Sequence, residues 1–333
     1  MKRLRIKNIL VPIDLSRRSV QGIEIAKRIG QSFGATIHVA YVYDVPYASG
    51  LISPAIAWQE LPISLAKDAS KQLAQELKSL SSRAGLPPGY KTHFREGAPA
   101  FDVICRLATK IPADLVIVPT RASRGIKRFF VGSTAERLVQ HSPCPILVDR
   151  KSAAPLPLNQ SAGPALRVER VLVPIDFSDC SLEGLRYAIQ FAHQFAAEIT
   201  LLHVLDLGYS HPIDIQATHT LTRFARWAIK DGKGQMQKFI KRVKFGRVRF
   251  KTEFVIGTPV EQMSNFALAN DFDLIITSTH GLTGFKHVLI GSIAEHLVRQ
   301  SPVPILVVPS HPKVRAGHLA HRRNRRSRSH AKS

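Results

Sequence analysis

A chain of 333 residues is long enough for two ordinary domains, and an apolar content of 44% supplies a core for each. This composition excludes a largely disordered protein, and three cysteines without a C-x-x-C pair argue against a disulfide framework. Apolar runs fall far short of the ~20 residues that cross a membrane, and no apolar leader follows the basic N-terminus, so we expect a cytoplasmic protein without a signal peptide. The net charge of +23 favours anionic partners.

Strand-like and helical patterns alternate along the first half of the chain. The apolar run 9–13 predicts a buried strand, helical spacing predicts a helix over about 20–33, and β-branched residues predict a strand at 36–42. Further on we predict a helix with Leu65, Ala69, Leu73, Leu77 and Leu80 on one face, a strand at 90–95, a helix from 100, a strand at 115–118, a helix from 133 and a strand at 146–148. This alternation predicts a doubly wound, mostly parallel α/β sheet with helices on both faces.

The second half of the chain repeats the first in order. Residues 11–16 recur as 173–178, residues 97–99 as 257–259, and residues 132–148 as 291–307, with 12 of the last 17 positions identical. We also pair His38-Val39 with His203-Val204. The repeats predict one domain at 1–150, a Pro/Ser/Ala/Gly-rich linker at 151–167, a second domain at 168–310 and a basic disordered tail at 311–333. Residues 4–149 are called copy one below, and residues 168–309 copy two.

The middle helix of copy two differs from that plan in two ways. Gly232 and Gly234 are predicted to break it, because glycine is a poor helix former. The stretch is also amphipathic, which predicts a basic solvent face. Its apolar members are Leu221, Phe224, Met236, Phe239 and Ile240, and its basic members are Arg223, Arg226, Lys230, Lys238, Lys241 and Arg242.

Two segments of copy two carry the residue types of a phosphate and ribose site. Ligands of doubly wound sheets bind beyond the carboxyl ends of the strands, and residues 174–176 follow the first strand of copy two. Residues 277–281 end at a glycine, and Gly291-Ser292 then begins a helix whose free N–H groups suit an anion. Asp176 is placed to accept hydrogen bonds from ribose hydroxyls. Alternatively, Asp14 and Asp176 are turn residues ahead of helix caps at Ser16 and Ser178.

Together, the segments 173–178 and 278–307 resemble the opening and the end of universal stress proteins, and the resemblance covers residues 4–149 and 168–309. It implies two tandem doubly wound, five-stranded, Rossmann-like sheets of the adenine-nucleotide alpha-hydrolase-like type, with ATP as ligand and Mg²⁺ left open. The family's Gly-x-x-Gly-(nine residues)-Gly-Ser/Thr motif maps onto copy two with Ser278 in place of its first glycine. The implied nucleotide-binding residues are Pro174, Ile175, Asp176, Val204, Thr277, Ser278, His280, Gly281, Gly291, Ser292 and Ile293.

Copy one departs further from the family's motif. Pro119 and Ala122 replace the first two glycines, and proline has no N–H to offer a phosphate. We therefore predict a weak or vestigial nucleotide site there, formed by Pro12, Ile13, Asp14, Gly132 and Ser133. The basic residues Arg121, Arg124, Lys127 and Arg128 leave open another anion at the same loop.

The resemblance implies a regulatory ATP-binding protein of the stress response. It also implies an intramolecular pseudo-dimer in which residues 145–148 pair with residues 304–307, and a further homodimer stays open. We expect no enzyme, since no Gly-x-x-x-x-Gly-Lys-Ser/Thr loop, catalytic residue or metal cluster is evident, although slow ATP hydrolysis is left open. The alternative is a nucleic-acid-associated stress factor that binds through the basic tail and basic helices and has a vestigial nucleotide site. The tail contains eight Lys/Arg and no acidic residue. The same tail would also suit an acidic partner or a solubilising role.

Overall fold

The computed structural model describes residues 3–14, 17–43, 71–72, 75–79, 82, 85–119, 132–149, 166–206, 218–279 and 291–310. Most of the predicted linker, the predicted basic tail, His280, Gly281 and the basic loop of copy one lie outside these residues. Within the described part of the chain, no helix is both long and apolar enough to span a membrane.

The elements of copy one follow the predicted order, with bounds within a few residues of those expected. They are β1 (Asn8–Ile13), α1 (Arg17–Phe33), β2 (Thr36–Tyr43), β3 (Lys91–Glu96), α2 (Ala100–Lys110), β4 (Leu115–Pro119), α3 (Ser133–His141) and β5 (Ile146–Asp149). Between β2 and β3, the described residues 71–72, 75–79 and 82 are helical, and Leu77 is buried as predicted. The other four predicted members of that helix face lie outside the described residues.

Copy two repeats this order. Its elements are β6 (Arg170–Pro174), α4 (Asp179–Phe195), β7 (Glu198–Leu205), α5 (Thr218–Ile240), β8 (Phe250–Ile256), α6 (Pro259–Ala269), β9 (Leu274–Ser278), α7 (Ser292–Gln300) and β10 (Ile305–Val308).

The predicted break in the middle helix of copy two is wrong. Helix α5 runs without interruption through Gly232 and Gly234. A Cβ at Gly232 would lie 3.2 Å from Cε1 of Phe254 in β8, so the missing side chain lets the helix pack closely on the sheet. Tertiary packing outweighs the cost of about 1 kcal/mol for each glycine.

All ten strands of the described residues form one sheet in the order β3-β2-β1-β4-β5-β10-β9-β6-β7-β8. Neighbours within each five-stranded half are parallel. The halves meet where β5 and β10 pair antiparallel, with Leu147 opposite Leu306. The pairing of the last strands that the resemblance implies is therefore confirmed, and the two halves form a single continuous sheet.

Alternating strand residues divide the core between the two faces of the sheet. On one face, Ile9 and Val11 pack with α1, α4 and α5, and the buried residues of both copies form one cluster. On the other face, Leu10 packs with α2, α3, α6 and α7 in a second shared cluster. The inner strands, such as β4, β5 and β10, are buried on both faces and are therefore nearly continuous runs of Val, Ile and Leu, whereas the end strands β3 and β8 are more exposed and more polar.

Hydrogen bonds of equivalent residues confirm the duplication and correct one detail of it. Asp114 Oδ2 accepts the N–H groups of residues 7 and 8, and Asp273 Oδ2 accepts those of residues 169 and 170. The β1–β2 and β6–β7 registers pair Ile9 with Ile37 and Val171 with Ile199. At this register His38 corresponds to Thr200, and Tyr41-Val42 corresponds to His203-Val204. The predicted equivalence of His38-Val39 with His203-Val204 is therefore wrong, because it shifts the strand by three residues.

Helices from the two copies also touch each other. Arg299 in α7 donates from Nε and Nη2 to the two carboxylate oxygens of Glu136 in α3, at 3.0 and 3.2 Å. On the opposite face of the sheet the rings of Phe33 and Phe195 meet edge to face, with centroids 5.8 Å apart. The copies are thus joined by the sheet and by contacts on both of its faces.

Candidate functional site

The strand order places a reversal point in each copy. In copy one the chain adds β2 and β3 on one side of β1 and then returns to β4 on the other side, and copy two does the same around β6 and β9. The carboxyl ends of β1 and β4, and of β6 and β9, are therefore the crevices where ligands of doubly wound sheets bind. The two predicted Pro-Ile-Asp segments follow β1 and β6 at these points.

A cavity of about 470 Å³ opens at the reversal point of copy one. The five residues predicted for copy one line it together, although segments 12–14 and 132–133 lie more than a hundred positions apart in sequence. The lining comprises Pro12, Ile13, Asp14, Gly132 and Ser133, along with Ser19, Tyr41, Val42, Ala100, Ile104, Val118, Pro119, Thr134, Ala135 and Leu138. Both the volume and the apolar walls with a few polar groups are typical of small-molecule sites.

Asp14 lies at the exposed rim of this cavity and is held by a buried serine. The Ser19 hydroxyl donates to Asp14 Oδ1 at 2.9 Å and accepts the Asp14 N–H at 3.1 Å. Ser19 itself is only 1% exposed. The bonds hold the exposed carboxylate at the entrance of the cavity.

In copy two the equivalent carboxylate belongs to a turn. Asp176 Oδ1 accepts the Ser178 N–H at 3.0 Å and the Ser178 hydroxyl at 2.6 Å. The Ser178 oxygen in turn accepts the Ser181 N–H and caps α4, as the turn interpretation predicts. Asp176 thus has a structural role, and its contact with a ribose stays a prediction.

An aromatic pair stands beside this turn. The Nδ1 of His203 lies 2.7 Å from the Ile175 carbonyl oxygen, which accepts the bond. The Phe177 backbone has a φ of 65°, and its ring centroid is 4.4 Å from that of His203. Val204, the next residue on β7, is buried and occupies the position that Val42 holds in the lining of the copy-one cavity.

Residues 280–290 of copy two contain Gly281 and are called the glycine loop. The residues on either side of this loop, Thr279 and Gly291, meet at the end of β9. The Gly291 N–H donates to the Thr279 carbonyl, and the Thr279 N–H donates to Val308 in the neighbouring strand at 3.0 Å. Thr277 and Ser278 are buried at the end of β9, and Ile293 is half-buried in α7, which begins at Ser292. The predicted His280 and Gly281 lie between these ends, outside the described residues. The structure therefore brings the loop's anchors to the crevice beside residues 174–176.

The helices that start at the two crevices both have glycine at the N-cap; within the described residues α2 and α6 also lack a side-chain cap, but their N-cap residues are Pro99 and Thr258. Gly132 and Gly291 occupy the N-cap positions of α3 and α7, and among the described residues no side chain bonds to either helix start. At α4, by contrast, Ser178 provides that bond. Helix N-termini without a side-chain cap keep their N–H groups available to water or to an anion.

Two glycines that the sequence analysis missed let helices α1 and α4 pack closely on the ends of β4 and β9. A Cβ at Gly22 would lie 3.1 Å from Pro119 Cδ, and one at Gly184 would lie 3.4 Å from the Ser278 nitrogen. Residues 119 and 278 occupy the first position of the glycine motif, so α1 and α4 pack directly against it. The signal was present in the sequence, because Gly22 and Gly184 are equivalent at the offset that relates the Pro-Ile-Asp segments.

A family model described as "Universal stress protein family" matches residues 5–150 and again residues 167–309. The chain belongs to the universal stress protein family. Relatives include two universal stress proteins of Methanocaldococcus jannaschii. One is 31% identical over 140 residues, which are 42% of this chain and 81% of the relative. The other is 27% identical over 152 residues, which are 42% of this chain and 94% of the relative.

Solved structures match the tandem arrangement. A universal stress protein from Archaeoglobus fulgidus has a TM-score of 0.59 at 19% identity, over 92% of this chain and 100% of that one. A putative universal stress protein from Pseudomonas aeruginosa has a TM-score of 0.55 at 17% identity, over 91% of this chain and 93% of that one. At these identities the likeness supports the fold alone.

The three cysteines of this universal stress protein lie in the described part of the chain. There, no group of three or more His, Cys, Asp or Glu side chains is arranged to hold a metal ion. Cys144 is buried, and Cys105 and Cys180 are partly buried free thiols. Burial, helped by Asp102, raises the pKa of the Cys105 thiol to about 11, which keeps it protonated near neutral pH.

Proposed function

We propose that this protein is an ATP-binding regulator of the stress response, in which nucleotide occupancy alters contacts between the two copies. The observation that carries the proposal is the cavity at the reversal point of copy one. It joins the Pro-Ile-Asp segment to a helix start with a glycine cap, and both features recur at the matching positions of copy two.

The residue types at the crevice of copy two support the assignment of an adenine nucleotide. The segment 174–176 and Val204 would hold the adenosine, and Asp176 would accept hydrogen bonds from the ribose. Gly281, Gly291 and Ser292 would hold the phosphates on backbone N–H groups and the helix dipole. Because the described residues offer no carboxylate cluster, any Mg²⁺ would be held mainly by the phosphates and water.

Copy two is the proposed principal site and copy one the weaker one. The reason is the phosphate turn, where copy two retains Gly281 and copy one has Ala122 and Pro119. Proline contributes no N–H, and Pro119 also packs against α1 at Gly22. The copy-one cavity would then bind the adenosine part of a nucleotide better than the phosphate part.

Binding, rather than catalysis, is the proposed activity. The two copies would act as an intramolecular pseudo-dimer in the cytoplasm, with α3 and α7 starting at the two sites and joined by the Arg299–Glu136 ion pair. Release of inorganic phosphate from ATP by the purified chain should stay near the background rate, and sustained turnover would contradict this part of the proposal.

Calorimetric titration of the full chain with ATP and Mg²⁺, repeated on two matched variants, tests the site assignment. We expect about one ATP per chain, a loss of at least about tenfold in affinity for Gly281→Val, and little change for Gly132→Val. A Cβ at Gly132 meets no atom within 4 Å, so this variant should fold while narrowing the copy-one cavity.

The opposite pattern would move the principal site to copy one, and two ATP per chain would show that both copies bind. Absence of any binding by a chain with native circular dichroism would overturn the proposal.

A further inference from the structure

Basic residues are concentrated in one segment of copy two. Residues 226–251 contain ten Lys or Arg and one acid, whereas the matching segment of copy one, residues 66–91, contains five basic residues and two acids. The excess is therefore a property of copy two and not of the duplicated fold. We call these ten residues the basic strip.

Every residue of the basic strip is exposed. Among the described residues, Arg242 pairs with Asp179 and Lys251 with Glu198. The other eight make no ion pair in the part of the chain that the structure describes: Arg226, Lys230, Lys233, Lys238, Lys241, Lys244, Arg247 and Arg249. A dense array of unneutralised cations attracts a polyanion more strongly than scattered charges do.

Helical spacing arranges part of the strip in a line. Arg226, Lys230 and Lys233 are separated by four and three residues and lie on one face of α5. From Arg226 to Lys233 this line extends about 10 Å, at about 1.5 Å per residue. Lys238 follows on a neighbouring part of the exposed surface of α5, and Lys241 and Arg242 come directly after the helix end. The strip then continues through residues 244–249 to β8, the end strand of the sheet.

Exposed aromatic rings accompany these charges. Trp227 is 60% exposed in the same helical turn as Lys230. At the far end of the strip, Phe250 is 39% exposed and stacks on Phe245 with centroids 3.8 Å apart. Cations that follow a phosphate backbone, combined with rings on which bases stack, are the features of surfaces that bind single-stranded nucleic acids.

Protection of the sheet edge and binding to a membrane each account for less of this surface. Lysine on an end strand blocks edge-to-edge aggregation, which explains Lys251 but not the charges on α5. An amphipathic helix that binds a membrane must offer its apolar face to lipid, yet Met236 and Phe239 on that face are buried in the core.

We propose that the basic strip binds single-stranded nucleic acid, with phosphates on its Lys and Arg side chains and a base stacked on Trp227. The surface lies at the outer end of the copy-two sheet and does not depend on the proposed nucleotide site.

Fluorescence anisotropy of the full chain with a labelled, unstructured RNA 20-mer at 50–200 mM KCl tests the proposal. The strip variant carries Arg226→Gln, Lys230→Gln, Lys233→Gln and Lys241→Gln, substitutions that preserve helix propensity. The slope of log affinity against log salt concentration should become less negative by about 3 in this variant, because each neutralised phosphate contributes roughly 0.7 to the slope. A matched control removes the same charge from exposed copy-one positions, by Lys71→Gln, Lys78→Gln, Lys91→Gln and Lys110→Gln, and should change the slope little.

Trp227→Ala separates stacking from charge. It should weaken binding of the 20-mer about tenfold, and it should leave unchanged the binding of an abasic 20-mer with the same phosphates. Equal losses of affinity for both probes would remove the stacking contact from the proposal.

Three results would overturn the proposal. One is an equal loss of affinity in the strip and control variants, which would indicate attraction by net charge alone. Another is loss of binding only when the eight Lys and Arg of residues 311–333 are changed to Gln. The third is strip-dependent binding to vesicles containing phosphatidylserine by a chain that does not bind the 20-mer.

Discussion

The two copies share a backbone plan but differ in the side chains at equivalent strand ends. In copy one, Asp14 bonds to Ser19 at the rim of an open cavity, and Tyr41 lines the wall. In copy two, Asp176 bonds to Ser178, and His203 stands where Tyr41 does and bonds to the Ile175 carbonyl. The carboxylate is kept in both copies, while its partner and the neighbouring ring are changed.

Groups that hold the strands in register are the same in both copies. Asp114 and Asp273 each accept two N–H groups at the start of β1 and β6, and the hydroxyls of Ser142 and Ser301 each donate to the carbonyl two residues further along the chain. The solvent face of the middle helix and the chemistry of the second strand have diverged instead. Duplication has thus preserved the bonds that build the sheet and freed the rest of each copy for separate roles.

Breaking the join between the copies should have the largest effect on stability. Leu147 and Leu306 are equivalent, face each other across the β5–β10 pairing, and are 4% and 2% exposed. Leu147→Ala and Leu306→Ala should each lower the free energy of unfolding by about 2–5 kcal/mol, through lost burial and the cavity left behind. Urea denaturation measures both values.

The two variants should lose unfolding free energies that agree within about 1 kcal/mol if the packing around the β5–β10 pairing is as symmetric as its register. The double variant should deviate from additivity, because the two side chains share one site. Clearly unequal costs would show that one copy supports the join more than the other.

The sequence predicted what depends on pattern and missed what depends on packing. Strand alternation, the order of elements and the last-strand pairing follow from apolar periodicity and from the family resemblance, and the structure agrees. The break at Gly232 was wrong because propensity does not reveal that Phe254 lies against the helix. The match of His38 to His203 rests on residue identity alone, whereas the strand registers make His38 equivalent to Thr200.

For the candidate site, the sequence identified the segments that line the cavity but not the residues that pack against them and hold them in place. The motif predicts Pro12, Asp14 and Gly132 as site residues, and all three line one cavity. Ser19 and Gly22 were missed, since a buried serine and a small residue under a strand end leave no motif of their own.

A histidine pair that copy two lacks should make stability depend on pH. His38 Nδ1 lies 2.9 Å from His93 Nε2, and His38 Nε2 lies 3.2 Å from Asn8 Oδ1. Burial, followed by the charges of His93 and Lys91, lowers the pKa of His38 to about 4. In the unfolded chain its pKa is about 6.5, so the unfolded state binds a proton first and stability falls as pH drops from about 6.5 towards 4.

His38→Thr places the copy-two residue at this position and removes the titrating group. Between pH 7 and pH 4.5 the wild type should lose about 2 kcal/mol more stability than the variant does, by denaturant titration at each pH. Burial and nearby cations also lower the pKa of His93, so the variant should retain a weaker dependence of the same sign. Parallel pH profiles would contradict the assignment to His38.

The smallest effect concerns the middle helix, where two glycines two residues apart have different surroundings. A Cβ at Gly234 would meet no atom within 4 Å, so Gly234→Ala should stabilise the chain by up to about 1 kcal/mol through helix propensity. A Cβ at Gly232 would lie 3.2 Å from Phe254 Cε1 and 3.7 Å from His203 Cδ2, so the steric strain of Gly232→Ala should exceed the gain in helix propensity and lower the stability of the chain. Thermal denaturation of the two variants should give midpoints on opposite sides of the wild type. Equal stabilisation by both variants would show that α5 can move away from the sheet to accommodate a methyl group. Close packing at Gly232 would then not be a distinguishing feature of copy two.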